Sequence, residues 1–282
     1  MKQTILISGI KGFLGSNLAK TFSKNCAIYG IGKQNEIYNG IKVYASSELN
    51  NIPLKPDFII LCHAAVESGR SRLPSKLLFD VNVDLTKKII EKFCKAKIIY
   101  ISSTSIYDSN THIIYEDSPV NPKSEYAISK LWAEKIVLET ERSMIFRLSS
   151  LYGIEMRENT IIPNYVNQAL TNKVIEVWGK GERIQNYILV NNACNYIKYA
   201  MQEFGSIKNK VLLAVGKEEF SNHQLALIIA KDTNASIKYV GDDFSKSSRY
   251  DNHVTCNLLH WEPQEKLESE IRKYIKWKKE QY

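Results

Sequence analysis

A short apolar run, Ile5-Leu6-Ile7, leads straight into Gly9-Ile-Lys-Gly-Phe-Leu-Gly15, and Ser16-Asn-Leu-Ala-Lys-Thr-Phe22 then continues with helical spacing. Strand, glycine turn and helix in that order constrain the fold more than any other feature of the chain. Gly9, Gly12 and Gly15 stand at GxxGxxG spacing. Without Cβ atoms the turn can tighten, a pyrophosphate can approach the backbone amides at the helix N-terminus, and the helix can pack on its strand. Lys11, Phe13 and Leu14 fill the turn between the glycines and belong to the same candidate dinucleotide site.

Further strand runs follow at 26–31, 41–44, 57–62 and 98–101. Between 75 and 95, Leu77, Leu78, Val81, Leu85, Ile89 and Phe93 keep helical spacing and predict one helix. Strands alternating with helices of this length predict an α/β fold, a doubly wound parallel sheet with helices on both faces. After a helix over 126–139 and a strand over 144–148 the alternation loosens. Residues 1–150 read as the dinucleotide-binding domain, to which 187–204 return. Residues 151–186 and 205–282 read as a smaller, interleaved α/β substrate lobe.

A chain of 282 residues with 44% hydrophobic and 24% charged residues is ordinary for a globular protein with a sizeable core. Its longest apolar runs are far too short to span a bilayer, and no secretory signal is evident, so the expected location is the cytoplasm, away from membranes. The five cysteines, Cys26, Cys62, Cys94, Cys194 and Cys256, are scattered without the paired spacing of a metal site or a disulfide framework. The net charge of +8 is spread along the chain. Even its densest basic run, Arg272-Lys-Tyr-Ile-Lys-Trp-Lys-Lys279, alternates with Ile271, Ile275 and Trp277 as the solvated face of a terminal helix would, so nucleic acid is not an expected partner.

Near the end of the second strand, NAD-selective sites place an acid for the ribose hydroxyls; here Gly32 holds that position. Lys33 follows it and Lys11 lies in the glycine turn, two cations suited to a 2′-phosphate. The sequence therefore favours NADP(H), with NAD(H) left open through Glu36 as a displaced ribose ligand.

Tyr126 and Lys130 are one helical turn apart and share a face. A neighbouring ammonium stabilises tyrosinate and lowers a phenol from about 10 towards the range of a general acid/base. YxxxK alone is weak evidence. Here it follows a strand that ends in Ser102-Ser103-Thr104, whose hydroxyls would meet the same substrate oxygen.

With these pieces in place the chain resembles the extended short-chain dehydrogenase/reductase family, and within it the nucleotide-sugar epimerases, dehydratases and ketoreductases. The matching segments include Gly9 to Gly15, Leu61-Cys-His-Ala-Ala65, Val81-Asn-Val83, Ile101-Ser-Ser-Thr-Ser-Ile-Tyr107, Tyr126-Ala-Ile-Ser-Lys130 with Glu134, Arg147-Leu-Ser-Ser-Leu-Tyr-Gly153, Gly181-Glu-Arg-Ile-Gln-Asn-Tyr-Ile-Leu-Val190 and Leu258-Leu-His-Trp-Glu-Pro263. The resemblance implies a Rossmann-type fold in which Tyr126 exchanges a proton with the sugar oxygen, Lys130 binds the nicotinamide ribose and Ser103 orients the oxygen, with Thr104 adjacent. It implies that Ala64 and Ala65 line the cofactor cleft and that Asn82 supports the active-site backbone. His63 falls on an apolar family position and reads as structural.

Family dehydratases carry an Asp-Glu pair after the Ser/Thr; Thr104 and Ser105 stand there instead. The missing acid at Gly32 tilts the expectation from a tightly bound NAD towards an NADPH-dependent reductase of a nucleotide-linked 4-keto deoxy sugar. An NAD-dependent nucleotide-sugar 4-epimerase is the alternative, and a non-catalytic dinucleotide-binding regulator the second. Where relatives have an Arg-Asp-Phe-like element this chain has Gln185-Asn186-Tyr187, so Arg183 and Arg249 become the expected cationic partners of the substrate, followed by Ser150 and Asn164. The resemblance also brings in a homodimer as the analogous assembly.

Overall fold

The computed structural model describes residues 2–67, 72–108 and 110–281. The first half runs β1 (Thr4–Ser8), α1 (Phe13–Phe22), β2 (Ala27–Gly32), β3 (Glu36–Tyr38), β4 (Ile41–Ala45), β5 (Phe58–Leu61), α2 (Ser75–Leu78), α3 (Leu85–Lys92), β6 (Lys97–Ser103), α4 (Glu125–Leu138) and β7 (Ser143–Leu148). The second half runs β8 (Ser150–Tyr152), α5 (Ile161–Thr171), β9 (Val174–Trp178), β10 (Ile184–Leu189), α6 (Val190–Gln202), α7 (Phe204–Ile207), β11 (Lys210–Ala214), β12 (Glu219–Ser221), α8 (Asn222–Thr233), β13 (Ser236–Val240), α9 (His253–Leu259) and α10 (Leu267–Lys279).

The period-2 geometry of a strand sends alternate side chains to opposite faces, and a sheet covered on both sides needs apolar residues at every position. β1 and β5 show this. Ile5, Ile7, Phe58 and Ile60 join the core with Leu18 of α1 and Ile197 of α6, while Leu6, Ile59 and Leu61 join the opposite core with Ile89 of α3 and Ala133 of α4. The sheet order is β11-β7-β6-β5-β1-β2-β4-β3. Every neighbouring pair is parallel except the antiparallel β3–β4 edge. The fold is the doubly wound α/β sheet. Its winding reverses between β1 and β5, and a ligand crevice opens beyond the carboxyl ends of such a pair.

The continuous helix expected over 75–95 is interrupted. Phe79–Asp84 form a wider π-type turn between α2 and α3, with Asn82 and Val83 buried in it. Such turns re-aim side chains that a regular helix would point elsewhere.

A three-stranded sheet, β12-β10-β8, and a two-stranded one, β13-β9, build the smaller layer. Ile175 and Val177 of β9, Val166 of α5, Leu225 and Ile229 of α8, and Ile271 of α10 form its core. As the spacing predicts, α10 turns Ile271 and Ile275 inward, while Lys273 and Lys278 reach Glu270 and Glu158 outside at 2.7 and 2.8 Å. One strand departs from the expected division. β11 lies within the stretch assigned to the smaller lobe, yet it pairs in parallel with β7 and extends the large sheet. Leu212 and Ala214 thereby complete the core shared with α6, a burial that no local pattern in the strand specifies. Among the described residues no helix is long and apolar enough to cross a membrane.

Candidate active site

The glycine turn closes over the junction of β1 and β5. Gly9 has φ +68°, and a Cβ there would stand 2.8 Å from the His63 Cα. A Cβ on Gly15 would stand 2.3 Å from the Gly9 carbonyl oxygen, so helix and turn touch at backbone distance. Gly12 is the N-cap of α1 and offers no side chain to its first amides. Those N–H groups, with the positive end of the helix dipole, are left for an anion.

A cleft of about 510 Å³ runs from this turn to the end of β6. Gly9, Gly12, Phe13, Leu14 and Gly15 line one end with Lys33 and Ala64; Ser103, Tyr126 and Lys130 line the other. Ala65 and Asn82 stand behind the wall. The Asn82 amide accepts from the Ala65 N–H at 2.8 Å and donates to the Ala65 carbonyl at 3.0 Å and to Ser129 Oγ at 2.9 Å. The π-type turn aims Asn82 at that peptide, so one buried side chain joins the loop after β5 to α4. His63 is held between Ser8 Oγ at 2.6 Å and Thr86 Oγ1 at 3.1 Å, and burial lowers it to about 3. It is a neutral structural imidazole.

Two sequence expectations fail on the cofactor side. Lys11 does not line the cleft; its ammonium meets both Glu36 oxygens at 3.0 Å, which also commits the proposed displaced ribose ligand. A Cβ on Gly32 would lie 2.9 Å from Val43 Cγ1, so an acidic side chain at that position would have to push the Val43 side chain aside.

Ser124 caps α4 by accepting from the Ala127 N–H at 3.1 Å and starts the helix just before Tyr126. Tyr126 and Ser103 line the same end of the cleft, and the Ser103 hydroxyl opposes the rise that burial imposes on the phenol. Ser103 Oγ also takes the Ser105 N–H at 3.1 Å and bonds Ser105 Oγ at 2.9 Å. Lys130 is 2% exposed; it donates to the Ile101 carbonyl at 2.5 Å and lies 4.2 Å over the Tyr100 ring. Desolvation pulls this ammonium down to about 7, with Glu134 opposing the fall.

The expected tuning of the phenol is therefore different in detail. Burial raises Tyr126, and the opposing influences are the Ser103 hydrogen bond and then the positive charge of Arg157. Lys130 is too poorly solvated to stay charged at the high pH where the phenol ionises.

Below the pair lies a buried brace between two residues of the matching segments, Glu134 and Arg147. Arg147 Nε and Nη2 hold the two Glu134 oxygens at 3.1 and 2.8 Å, the guanidinium sits 4.7 Å over the Tyr107 ring, and Nη1 donates to the Glu116 carbonyl at 3.3 Å. This bidentate pair ties α4 to β7. Thirteen residues separate its partners, too far for any helical or strand spacing to signal it.

A second hollow, about 1080 Å³, adjoins the cleft and shares Val66, Leu151, Met156, Arg157 and Thr160 with it. Ser150, Asn164 and Arg183 line it. Gln185, where relatives carry an arginine, donates to Asn222 at 2.7 Å, and Asn186 bonds the Gly216 peptide at 2.8 Å in both directions. Arg249 belongs elsewhere. It opens into a separate depression beside Lys217 and Tyr250, with Nε 4.0 Å from Glu219. Thr104 likewise lies outside the cleft lining, beside Tyr250. Arg157, absent from the expected site residues, is among the described residues the cation common to both cavities.

A family model described as the NAD dependent epimerase/dehydratase family matches residues 5–216. The chain belongs to this family. Epimerase/dehydratase relatives include an N-acetyl-α-D-glucosaminyl-diphospho-undecaprenol 4-epimerase of Escherichia coli O157:H7, 28% identical over 84% of this chain and 74% of that protein. A UDP-glucuronate 4-epimerase of Thermodesulfobacterium geofontis is 23% identical over 98% of this chain and 96% of that one. Among solved structures, a UDP-glucuronic acid 4-epimerase of Bacillus cereus, in complex with UDP-glucuronic acid and NAD, superposes with a TM-score of 0.88 over 99% of this chain and 100% of that one at 19% identity. A dTDP-glucose 4,6-dehydratase of Bacillus anthracis in complex with NAD gives 0.85 over 99% and 97%, at 20% identity. These neighbours share the epimerase/dehydratase fold.

Proposed function

We propose that the chain is an NAD-dependent 4-epimerase acting on a nucleotide-linked sugar. The observation that carries this reading is the chemistry of the cleft wall: among the described residues no Asp or Glu lines it, and Tyr126 stands with Ser103 as one acid/base unit. Elimination of water across two carbons calls for an acid and a base at neighbouring positions, and Thr104 and Ser105 supply hydroxyls instead, the one outside the cleft lining and the other accepting from Ser103 Oγ. A single proton shuttle at one carbinol suits removal and return of hydrogen at the same carbon.

Gly9, Gly12 and Gly15 provide a cradle that only Cβ-free residues leave open, which fits a dinucleotide pyrophosphate. NAD bound there supplies a hydride acceptor and donor. NAD is proposed over NADP(H) because Lys11 is neutralised by Glu36 and leaves Lys33 alone of the two cations expected at a 2′-phosphate. The epimerases among its relatives support the same choice over the 4-keto reductase.

Tyr126 accepts the sugar 4-hydroxyl proton as the C4 hydrogen leaves as hydride, then returns the proton after the ketone has presented its other face. Ser103 donates to the sugar oxygen and fixes its position. Lys130, held by the Ile101 carbonyl, presents its amino group as a hydrogen-bond donor to the ribose. The adjoining hollow, with Arg183, Asn164 and Ser150, holds the nucleotide end while the sugar turns.

The test is to extract the cofactor of the purified protein, identify it by mass spectrometry, and incubate the protein with a panel of UDP- and dTDP-hexoses without reductant. Stoichiometric NAD and a C4 epimer seen by NMR are expected. NADPH oxidation on a 4-keto sugar with no isomerisation would return the reductase reading.

A further inference from the structure

We propose that Arg157, delivered by the loop after β8, is a positioning residue that supplies the permanent positive charge stabilising the phenolate form of Tyr126. The proposal rests on the reading of Tyr126 as the acid/base and extends it to a residue outside the Tyr-Lys pair.

Three features place this charge. Arg157 lines the cofactor cleft together with Tyr126 and also lines the adjoining hollow, so it stands where the two cavities meet. Its backbone is anchored: Met156 is 6% exposed in the core of the smaller layer, and the Thr160 hydroxyl donates to the Arg157 carbonyl at 3.2 Å. Its charge is uncompensated. The flanking acids are taken by other cations, Glu155 by Lys20 at 3.6 Å and Glu158 by Lys278 at 2.8 Å, and among the described residues no carboxylate lies within ion-pair distance of Arg157. The hollow carries Glu67, Glu176, Asp242 and Asp243, none of them paired with Arg157, whereas no carboxylate among the described residues lines the cleft, so on the cleft side the field of this exposed guanidinium reaches Tyr126 without an opposing charge in the wall.

The other groups around the phenol do not replace it. From β6, the Ser103 hydroxyl favours the ionised phenol but carries no charge, and Tyr100 is a buried phenol raised well above its usual range by burial and then by Tyr126 itself. On α4, Lys130 is drawn down to about 7, and Glu134 beneath it is bound by Arg147. From the end of β5, desolvation pushes the half-buried Cys62 thiol up and His63 is held neutral. An arginine stays protonated throughout the range in which a tyrosine titrates. The field of Arg157 accordingly opposes the burial that raises Tyr126.

The experiment is a ¹³C NMR titration of the ligand-free full chain carrying [ζ-¹³C]tyrosine, with the Tyr126 signal identified by its loss in Tyr126→Phe. In Arg157→Gln the Tyr126 midpoint is expected to move up by about one pH unit, the low end of the effect of a nearby opposite charge, while Arg157→Lys restores most of it. A midpoint in Arg157→Gln that coincides with wild type overturns the proposal. For the turning-over enzyme, the acid limb of kcat moves upward in Arg157→Gln; a raised KM with an unmoved pH profile would make Arg157 a substrate anchor only and overturn it as well. If wild type isomerises none of the sugars, the epimerase reading falls, and the titration still decides the role of Arg157.

Discussion

The cofactor cleft and the adjoining hollow are built from different materials. Backbone makes the cleft: Gly9, Gly12 and Gly15 in contact with one another and with the chain at His63, and the Ala65 peptide held by Asn82. Side chains from β8, α5, β9, β10, α8 and the loop of 242–245 make the hollow. A backbone wall tolerates no added atom, and it suits a ligand that is the same in every turnover. A wall of side chains can change its chemistry residue by residue without moving the sheet, and it suits the part of a substrate that varies between relatives.

The comparison is most strongly tested at the seam of the two cavities. Tyr126→Phe is expected to lower turnover by about 10²–10⁴-fold while the dissociation constant for NAD stays unchanged, because only the proton carrier is lost. Unchanged turnover would remove Tyr126 from the chemistry and leave the cleft a binding site.

Next in size is the brace under α4. Glu134→Ala leaves Arg147 buried without its partner and is expected to cost roughly 3–5 kcal/mol in urea unfolding. A loss under about 1 kcal/mol would show that water or relaxation satisfies Arg147, and that the cleft floor is softer than its hydrogen bonds suggest.

Gly15→Ala addresses the backbone wall directly. A methyl group 2.3 Å from the Gly9 oxygen forces the turn apart, with an expected stability loss of roughly 1–3 kcal/mol and weakened NAD binding by calorimetry. Gly205→Ala is the control: a Cβ there meets nothing within 4 Å, and stability should stay within about 0.5 kcal/mol or rise.

The smallest effect belongs to the hollow. Arg183→Ala is expected to raise KM for the nucleotide sugar roughly tenfold with kcat nearly constant, as loss of one charge-assisted contact partly open to solvent would. Arg249→Ala, in its separate depression, should leave KM unchanged. Equal effects of the two arginines would join the depression to the substrate path and blur the contrast between the cavities.

What could be read ahead of the structure follows the same division. Strand, glycine turn and helix are contiguous in the chain, and Tyr126 and Lys130 are one turn apart, so both were legible as local spacing. The single helix expected over 75–95 was misread at its centre because the apolar spacing passes through the π-type turn undisturbed. Lys11 was misjudged because Glu36, which neutralises it, arrives on β3, twenty-five residues later. Arg249 was placed with the substrate by position in the chain alone, whereas the fold turns it towards Glu219. Arg157 carried no local signal. Its neighbours Glu155 and Glu158 look like natural partners until α1 and α10 present Lys20 and Lys278 to them.

By itself the sequence determined the doubly wound sheet and the glycine turn after its first strand, and it named Ser103, Tyr126 and Lys130, which the fold brings to one cleft; each rests on periodicity or on residues whose size is fixed by nearby backbone. Tertiary structure decided which charges remain free at the site. Ion pairing depends on distances of a few ångströms between segments far apart in the chain, and the folded chain alone pairs Lys11 with Glu36 and, among the described residues, leaves Arg157 without a counter-charge in the cleft it shares with Tyr126.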